Sequence, residues 1–147
     1  MSRTPFRSRD VYRYWVQITS RWHDNDIYGH VNNVIYYSWF DTAVNKWLID
    51  EGLLDVECGD PIGLVVETGC RYAASVAFPQ AVNVGIAVAK IGHSSVTFHI
   101  GIFVDCQEVA AAEGFFTHVY VGRGDRRPAP LPEIWRSKMR NLQYREE

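Results

Sequence analysis

One long helical pattern, followed only by strand-like segments, most constrains how this chain can fold. Across residues 32–53 the apolar side chains recur with helical spacing, for example at Tyr36, Phe40, Val44 and Trp47. Further large apolar residues widen this face, so we expect other parts of the chain to wrap most of the helix. A chain with a single helix of this kind needs a sheet to cover it.

Five segments rich in β-branched and aromatic residues have the composition of strands. They are Tyr12–Trp22 before the helix and Ile62–Ala74, Ala81–Ile91, Ser94–Asp105 and Glu108–Gly122 after it. Short polar connections between the later segments are typical of antiparallel hairpins. The order predicts an α+β fold in which an antiparallel sheet of about five strands curls around one central helix.

The last part of the chain has a different composition. Residues 123–134 contain three prolines and are predicted to be a connector, because proline cannot donate a hydrogen bond within a central strand. Pro132 fits the first turn of a short closing helix that runs to about Gln143. We expect one domain over residues 1–147, with its core at about 12–122.

Composition excludes several classes of protein. A hydrophobic content of 47% with 22% charged residues is typical of a globular domain, and a net charge of -2 offers no basic field for nucleic acid. No apolar run approaches the roughly 18 residues of a membrane span. The N-terminus lacks the apolar stretch of a signal peptide, so we expect a cytoplasmic protein. The three cysteines form no CxxC pair and predict neither a disulfide framework nor a metal site.

The most unusual stretch is RWHDNDIYGHVNN, residues 21–33, which enters the predicted helix. Asn32 or Asn33 is the natural N-cap of that helix. The unpaired N–H groups and the positive end of the helix dipole form a ready site for an anion or oxyanion. Asp26 lies a few residues away, and Gly29 allows a tight turn or a close approach to a ligand. A carboxylate beside oriented N–H donors is suited to acyl transfer to water.

The segment RWHDNDIYGHVNNVIYYSWFDTA resembles the DxDxxGHVNNxxY signature of hotdog-fold thioesterases, in the group related to 4-hydroxybenzoyl-CoA thioesterase. The likeness extends from about Tyr14 to Val121 and includes the stretch VVETGCRYAASVAFPQAVNVG. One departure is Val44, which stands where many relatives have arginine. Any contact made by that arginine elsewhere is therefore not expected here.

The resemblance implies an acyl-CoA thioesterase. Asp26 corresponds to the catalytic carboxylate, which either attacks the thioester carbonyl or activates a water molecule. An N–H at about Asn33 corresponds to the oxyanion donor, and Tyr28 and Gly29 are candidate substrate contacts. We expect no cofactor.

Two further residues have alternative roles. His30 either assists Asp26 as a proton carrier or packs and hydrogen-bonds locally. Strand alternation places Glu67 on the same face as Arg71, which favours an ion pair between them. The alternative for Glu67 is a second catalytic carboxylate contributed to a partner subunit.

The loop could also suggest a metal site, because His23, Asp24, Asp26 and His30 are close in sequence. These positions lack a recognised ligand spacing, so we expect no metal. Asp24 is predicted instead to order the loop through hydrogen bonds to the backbone.

The arginines Arg123, Arg126 and Arg127 follow the last predicted strand. They are interpreted either as a solvated surface or as contacts to the phosphates of coenzyme A, which suit a guanidinium group. The acyl carrier, coenzyme A or an acyl-carrier protein, is left open.

Uncovered sheet edges predict self-association to a homodimer or homotetramer. Two other functions remain as alternatives, since fold does not fix function. One is hydration or dehydration of acyl thioesters, which favours an Asp-x-Asn-Pro-x-His arrangement that this chain lacks. The other is acyl-thioester binding without turnover.

Overall fold

The computed structural model describes residues 4–144. The strands are β1 (Tyr14–Thr19), β2 (Ile62–Tyr72), β3 (Ala81–Ile91), β4 (Ser95–Val104) and β5 (Ala112–Val121), and the helices are α1 (Asn33–Asp50) and α2 (Glu133–Arg140). The five strands form one antiparallel sheet in the order β1-β3-β4-β5-β2. One long helix held by such a sheet, with a short C-terminal helix, is the hotdog fold, which confirms the predicted fold class.

The core lies between α1 and the sheet. Phe40 packs edge-on against Phe116 with ring centroids 6.0 Å apart, and Trp47 meets Phe98 at the same separation. Gly114 allows this close approach, because a Cβ there would lie 2.4 Å from the Phe40 ring. The helix is less enclosed than predicted, since its opposite face leaves Val34 and other side chains exposed.

Several predicted element boundaries were too wide. The first predicted strand was Tyr12–Trp22, but β1 spans only Tyr14–Thr19. At its C-terminal end the chain leaves the sheet, and Trp22–Asp24 forms a 3₁₀ turn. The last predicted strand, Glu108–Gly122, begins only at Ala112. The predicted closing helix ends at Arg140 rather than Gln143.

The predicted ion pair between Glu67 and Arg71 is wrong. The guanidinium of Arg71 instead binds the carboxylate of Glu113, the residue opposite it on β5, and Glu67 is exposed. Arg7 also approaches Glu113, with 3.3 Å between Nη1 and Oε1. Glu113 lies directly opposite Arg71 in the β2–β5 ladder, and an opposite-charge pair at such a cross-strand position is favourable.

A β-bulge in β2 also changes which residues share a face. The register shifts between Val65, which lies opposite His118, and Glu67, which lies opposite Thr117. Opposed residues in a ladder share a face, and the neighbours Thr117 and His118 point to opposite faces. Val65 therefore lies on the core face with the buried His118, and Glu67 lies on the other face. Without the bulge, strict alternation along the strand would place both residues on the same face.

No helix in residues 4–144 is long and apolar enough to cross a membrane.

Candidate active site

The loop between β1 and α1 is held by backbone hydrogen bonds at both ends. The N–H of Asp26 donates to the carbonyl of His30 at 2.8 Å, and the N–H of Gly29 returns to the carbonyl of Asp26 at 3.1 Å. Gly29 has a φ of 80°, in the left-handed region that favours glycine. The N–H of Val31 then donates to the carbonyl of Val76 at 2.7 Å, which fixes the loop to the rest of the fold.

Asp24 orders this loop, as predicted. Its buried carboxylate accepts the backbone N–H of Arg21 at 2.8 Å and also binds the Arg21 guanidinium. Its carbonyl accepts the N–H of Asn32 at 2.8 Å. Because these contacts occupy Asp24, it is unsuited to ligate a metal. Within residues 4–144, no group of three or more His, Cys, Asp or Glu side chains is arranged to hold a metal ion.

The N-cap of α1 is Asn32, whose side chain accepts the N–H of Val34 at 3.2 Å. Asn33 is therefore the first helical residue. N–H groups in the first turn have no partner within their own helix, and the helix dipole adds a partial positive charge there. The backbone at Asn33 is thus suited to bind an oxyanion.

Asp26, His30 and Asn33 line one open cleft of about 430 Å³. Asp26 is half-buried and His30 is exposed. One carboxylate oxygen of Asp26 accepts the N–H of Tyr28 at 2.8 Å, which fixes the orientation of the side chain. The structure thus brings together the three residues that the sequence proposed as catalytic.

The opposite wall of the cleft was not foreseen as part of the site. It consists of Tyr36 on α1, Tyr72 at the end of β2, and residues 73–75. The rings of Tyr36 and Tyr72 meet edge-on at 5.0 Å, and the Tyr72 hydroxyl donates to the carbonyl of Asn33 at 3.3 Å. Burial raises the pKa of both tyrosines, so both stay protonated at neutral pH. No motif marks Tyr72, but its segment belongs to the stretch that resembles the family.

The predicted substrate contacts are spread more widely. Tyr28 is 77% exposed and, like Gly29 and Glu67, does not line the cleft within one protomer. The guanidinium of Arg123 donates to the carbonyl of Gly59 and, at 3.3 Å, to that of Val56. Its role is therefore at least partly to hold the loop before β2.

Arg126 and Arg127 are exposed and lie beyond the end of β5, which pairs with the start of β2. The Asp26 cleft lies at the other end of β2, beside Tyr72. Eleven residues at a rise of about 3.3 Å separate the two ends of this strand by about 33 Å. Within one protomer, the arginines and the cleft are therefore far apart.

Solved structures of other proteins share this fold. The PA5185 protein of Pseudomonas aeruginosa strain PAO1 is 49% identical over 95% of this chain and 97% of its own, with a TM-score of 0.90. A thioesterase from Thermus thermophilus, complexed with coenzyme A and Zn, is 27% identical, with coverages of 87% and 92% and a TM-score of 0.71. A 1,4-dihydroxy-2-naphthoyl-CoA thioesterase from Synechocystis shares the fold, with a TM-score of 0.79, 19% identity and coverages of 88% and 96%.

No curated protein matches the chain significantly. The family model of the thioesterase-like superfamily matches residues 20–139, which include the Asp26 loop, α1, β2 to β5 and most of α2. The chain belongs to the thioesterase-like superfamily.

Proposed function

We propose that this protein hydrolyses acyl-CoA thioesters to the free acid and coenzyme A, with Asp26 as nucleophile or general base. The observation that carries the proposal is the single cleft shared by Asp26, His30 and the first turn of α1. Membership of the thioesterase-like superfamily supports the reaction class. The relative crystallised with coenzyme A supports the choice of thiol carrier.

In the general-base route, Asp26 takes a proton from water as the water oxygen attacks the thioester carbonyl carbon. The carbonyl oxygen becomes an oxyanion, which the N–H of Asn33 and the positive end of α1 stabilise. Collapse of this intermediate breaks the C–S bond and releases the coenzyme A thiolate, which is protonated by Asp26 or by His30. In the nucleophilic route, the Asp26 carboxylate attacks the carbonyl carbon, and the C–S bond breaks to release the coenzyme A thiolate and leave a mixed anhydride. Water then hydrolyses this anhydride to the free acid and the Asp26 carboxylate.

We further propose that the enzyme is a homodimer formed through β2. This strand is an edge of the sheet and pairs only with β5 in the described residues. Leu64, Val65 and Val66 are exposed on it, and a long apolar edge strand is a template for pairing with another chain. A two-fold axis through β2 would pair the strand with its own copy and continue the antiparallel sheet.

Such pairing would bring the arginines of one protomer close to the catalytic cleft of the other. In an antiparallel self-pair, the Ile62 end of one strand lies beside the Tyr72 end of the other. Arg126 and Arg127 of one protomer would then lie near the Asp26 cleft of its partner. This placement suits them to bind the phosphates of a coenzyme A whose acyl carbon lies in that cleft.

A thiol-release assay with short, long and aromatic acyl-CoAs tests the reaction. We expect turnover of at least one class by the purified wild-type protein. Binding of acyl-CoA without any release of thiol would instead favour an acyl-responsive binding protein.

A further inference from the structure

A second cavity, of about 110 Å³, lies at the C-terminal half of α1. This volume is several times the roughly 10–15 Å³ that a single water requires. Its lining includes Leu48 of α1, Gly63 of β2, His118 and Tyr120 of β5, and Trp135 of α2. Most of its surface is apolar, so the polar atoms that face it are the ones that can orient a ligand.

Within the described part of the chain, the side-chain polar atoms of His118 and Tyr120 have no hydrogen-bond partner. His118 is 5% exposed and Tyr120 is 2% exposed, and neither imidazole nitrogen nor the phenol oxygen is bonded to any described residue. Buried polar groups almost always have partners, and those without one call for an explanation. Three such atoms in neighbouring side chains of one cavity indicate that a bound molecule supplies the missing hydrogen bonds.

Gly63 leaves space beside these two side chains. It lies opposite Tyr120 in the β2–β5 ladder. A Cβ at this position would lie 3.0 Å from Cε1 of Tyr120 and 3.6 Å from Nδ1 of His118. Any other residue at position 63 would therefore fill the space in front of both polar side chains.

The chemistry of this cavity favours a neutral ligand group. Burial lowers the pKa of His118 to about 4, although the Asp41 carboxylate opposes the shift. His118 is therefore neutral at neutral pH and offers one donor and one acceptor. Burial also raises the pKa of Tyr120, which stays a phenol. Asp55 also lines the cavity, and its negative charge would repel an anion.

We propose that this cavity receives the distal end of the acyl group, and that His118 and Tyr120 select acyl groups ending in a neutral hydroxyl or carbonyl. The inference rests on the proposed thioesterase function and on the β2 dimer. In that dimer, Gly63 at the start of β2 lies beside the partner's Tyr72, which borders the partner's Asp26 cleft. The cavity of one protomer thus extends the catalytic cleft of the other.

The test compares two thioesters of nearly equal shape, 4-hydroxybenzoyl-CoA and 4-methylbenzoyl-CoA. The wild type should have the higher kcat/KM for the hydroxylated substrate. In Tyr120→Phe, which removes one oxygen, the ratio of the two kcat/KM values should fall by about tenfold or more. A site built to bond a hydroxyl discriminates strongly against a substrate that lacks it.

Tyr12→Phe is the matched control. Tyr12 is also buried, but it packs against Phe103 on the face of the sheet away from α1, so this change should leave the substrate ratio as in the wild type. Thermal unfolding checks that both variants are folded. Tyr120→Phe should not lose stability, because it removes a hydroxyl that has no partner among the described residues.

A direct binding measurement completes the test. Phenol should shift the NMR signals of the His118 imidazole more strongly than toluene at equal concentration, and Tyr120→Phe should weaken this difference. If both thioesters are hydrolysed but their ratio is the same in Tyr120→Phe and wild type, the inference is overturned while the proposed function stands. If neither a broad thioester panel nor this pair is hydrolysed, the proposed function fails, and the assignment of the cavity to an acyl group fails with it.

Discussion

The hydroxyl of Tyr72, the last residue of the edge strand β2, donates a 3.3 Å hydrogen bond to the carbonyl of Asn33, the first residue of α1. This contact joins the strand proposed to form the dimer to the helix end proposed to bind the oxyanion. Assembly and catalysis are therefore expected to depend on each other. The predictions below test the catalytic groups, the interface and the cavity separately.

Asp26→Asn should keep the fold and lower thioester hydrolysis by about two or more orders of magnitude, as expected for loss of a nucleophile or base. The asparagine carbonyl can still accept the N–H of Tyr28, so the loop should keep its turn. Thiol release measures the activity, and circular dichroism measures the fold. Near-normal turnover by the folded variant would contradict the assignment.

Asn33→Pro should lower kcat by about 10²–10³-fold, because it removes the N–H proposed to stabilise the oxyanion. Proline is well tolerated as the first residue of a helix, and the preceding Asn32 already has the extended conformation that proline requires, with φ -61° and ψ 139°.

Asn33→Ala is the matched control for the proline variant. It keeps the backbone N–H, and the N-cap side chain belongs to Asn32, so both activity and stability should remain close to wild type. Equal loss of kcat in the alanine and proline variants would assign the effect to the Asn33 side chain instead.

Val66→Lys should convert the dimer to a monomer and reduce thioesterase activity. Val66 is 60% exposed at the β-bulge of the free edge, and a lysine there would bring two positive charges together across the two-fold axis. Light scattering measures the mass. Ile134→Lys, at a similarly exposed apolar residue of α2, should remain dimeric. A wild-type protein that is monomeric and fully active at micromolar concentration would refute the assembly.

Replacing Arg126 and Arg127 together by alanine should raise the KM for acyl-CoA and leave kcat nearly unchanged. Phosphate contacts remote from the reacting carbonyl bind the ground state and the transition state alike. The effect should shrink as salt rises, because exposed charges are screened within about 8 Å at physiological ionic strength. Arg123 is left in place because it holds the loop before β2.

An acyl-N-acetylcysteamine thioester, which lacks the nucleotide, is the control substrate for this double variant. Its KM should not change. An unaltered KM for acyl-CoA at low salt would show that the two arginines are only a solvated surface.

Stability should fall as the pH drops from about 6.5 toward 4, in part because of His118. Burial lowers its pKa in the folded protein to about 4, below the unfolded value of 6.5. In this range the unfolded chain binds a proton that the folded protein excludes, so the stabilisation present above pH 6.5 is lost on acidification. A shift of this size corresponds to about 3 kcal/mol at most.

His118→Gln isolates this contribution, because glutamine is polar but does not titrate. The difference in unfolding free energy between wild type and variant should change with pH in the same range. A difference that is constant between pH 7 and pH 4 would show that His118 does not titrate in the way its burial implies.

The sequence predicted the fold because its strongest signals are local. The apolar periodicity of α1 and the strand-like segments reflect backbone preferences and burial, which each stretch of sequence carries by itself. The motif around Asp26 likewise lies within one loop, so its residues had to be near each other and near the start of α1. For this reason the sequence could predict that Asp26, His30 and Asn33 lie together, and all three line one cleft.

The errors arose where distant residues decide the outcome. The ion pair assigned to Glu67 and Arg71 considered only residues within one strand, whereas Glu113, 42 positions from Arg71 and directly opposite it on β5, supplied the carboxylate. The second cavity was missed for the same reason. In the sequence, His118 and Tyr120 are ordinary strand residues. Only the folded chain shows that they line a cavity together with α2 and the start of β2.

The Asp26 cleft and the second cavity lie at opposite ends of β2. The preference for an acyl group can therefore change in evolution separately from the hydrolytic reaction. The cleft depends on the loop before α1, whereas the cavity is lined by the end of α1, the start of β2, the end of β5 and α2. Apart from α1 and β2, the two sites share no structural element in the described chain. Substitutions that reshape the cavity can therefore accumulate while the hydrolytic machinery is preserved, so that one reaction can be redirected among many acyl groups.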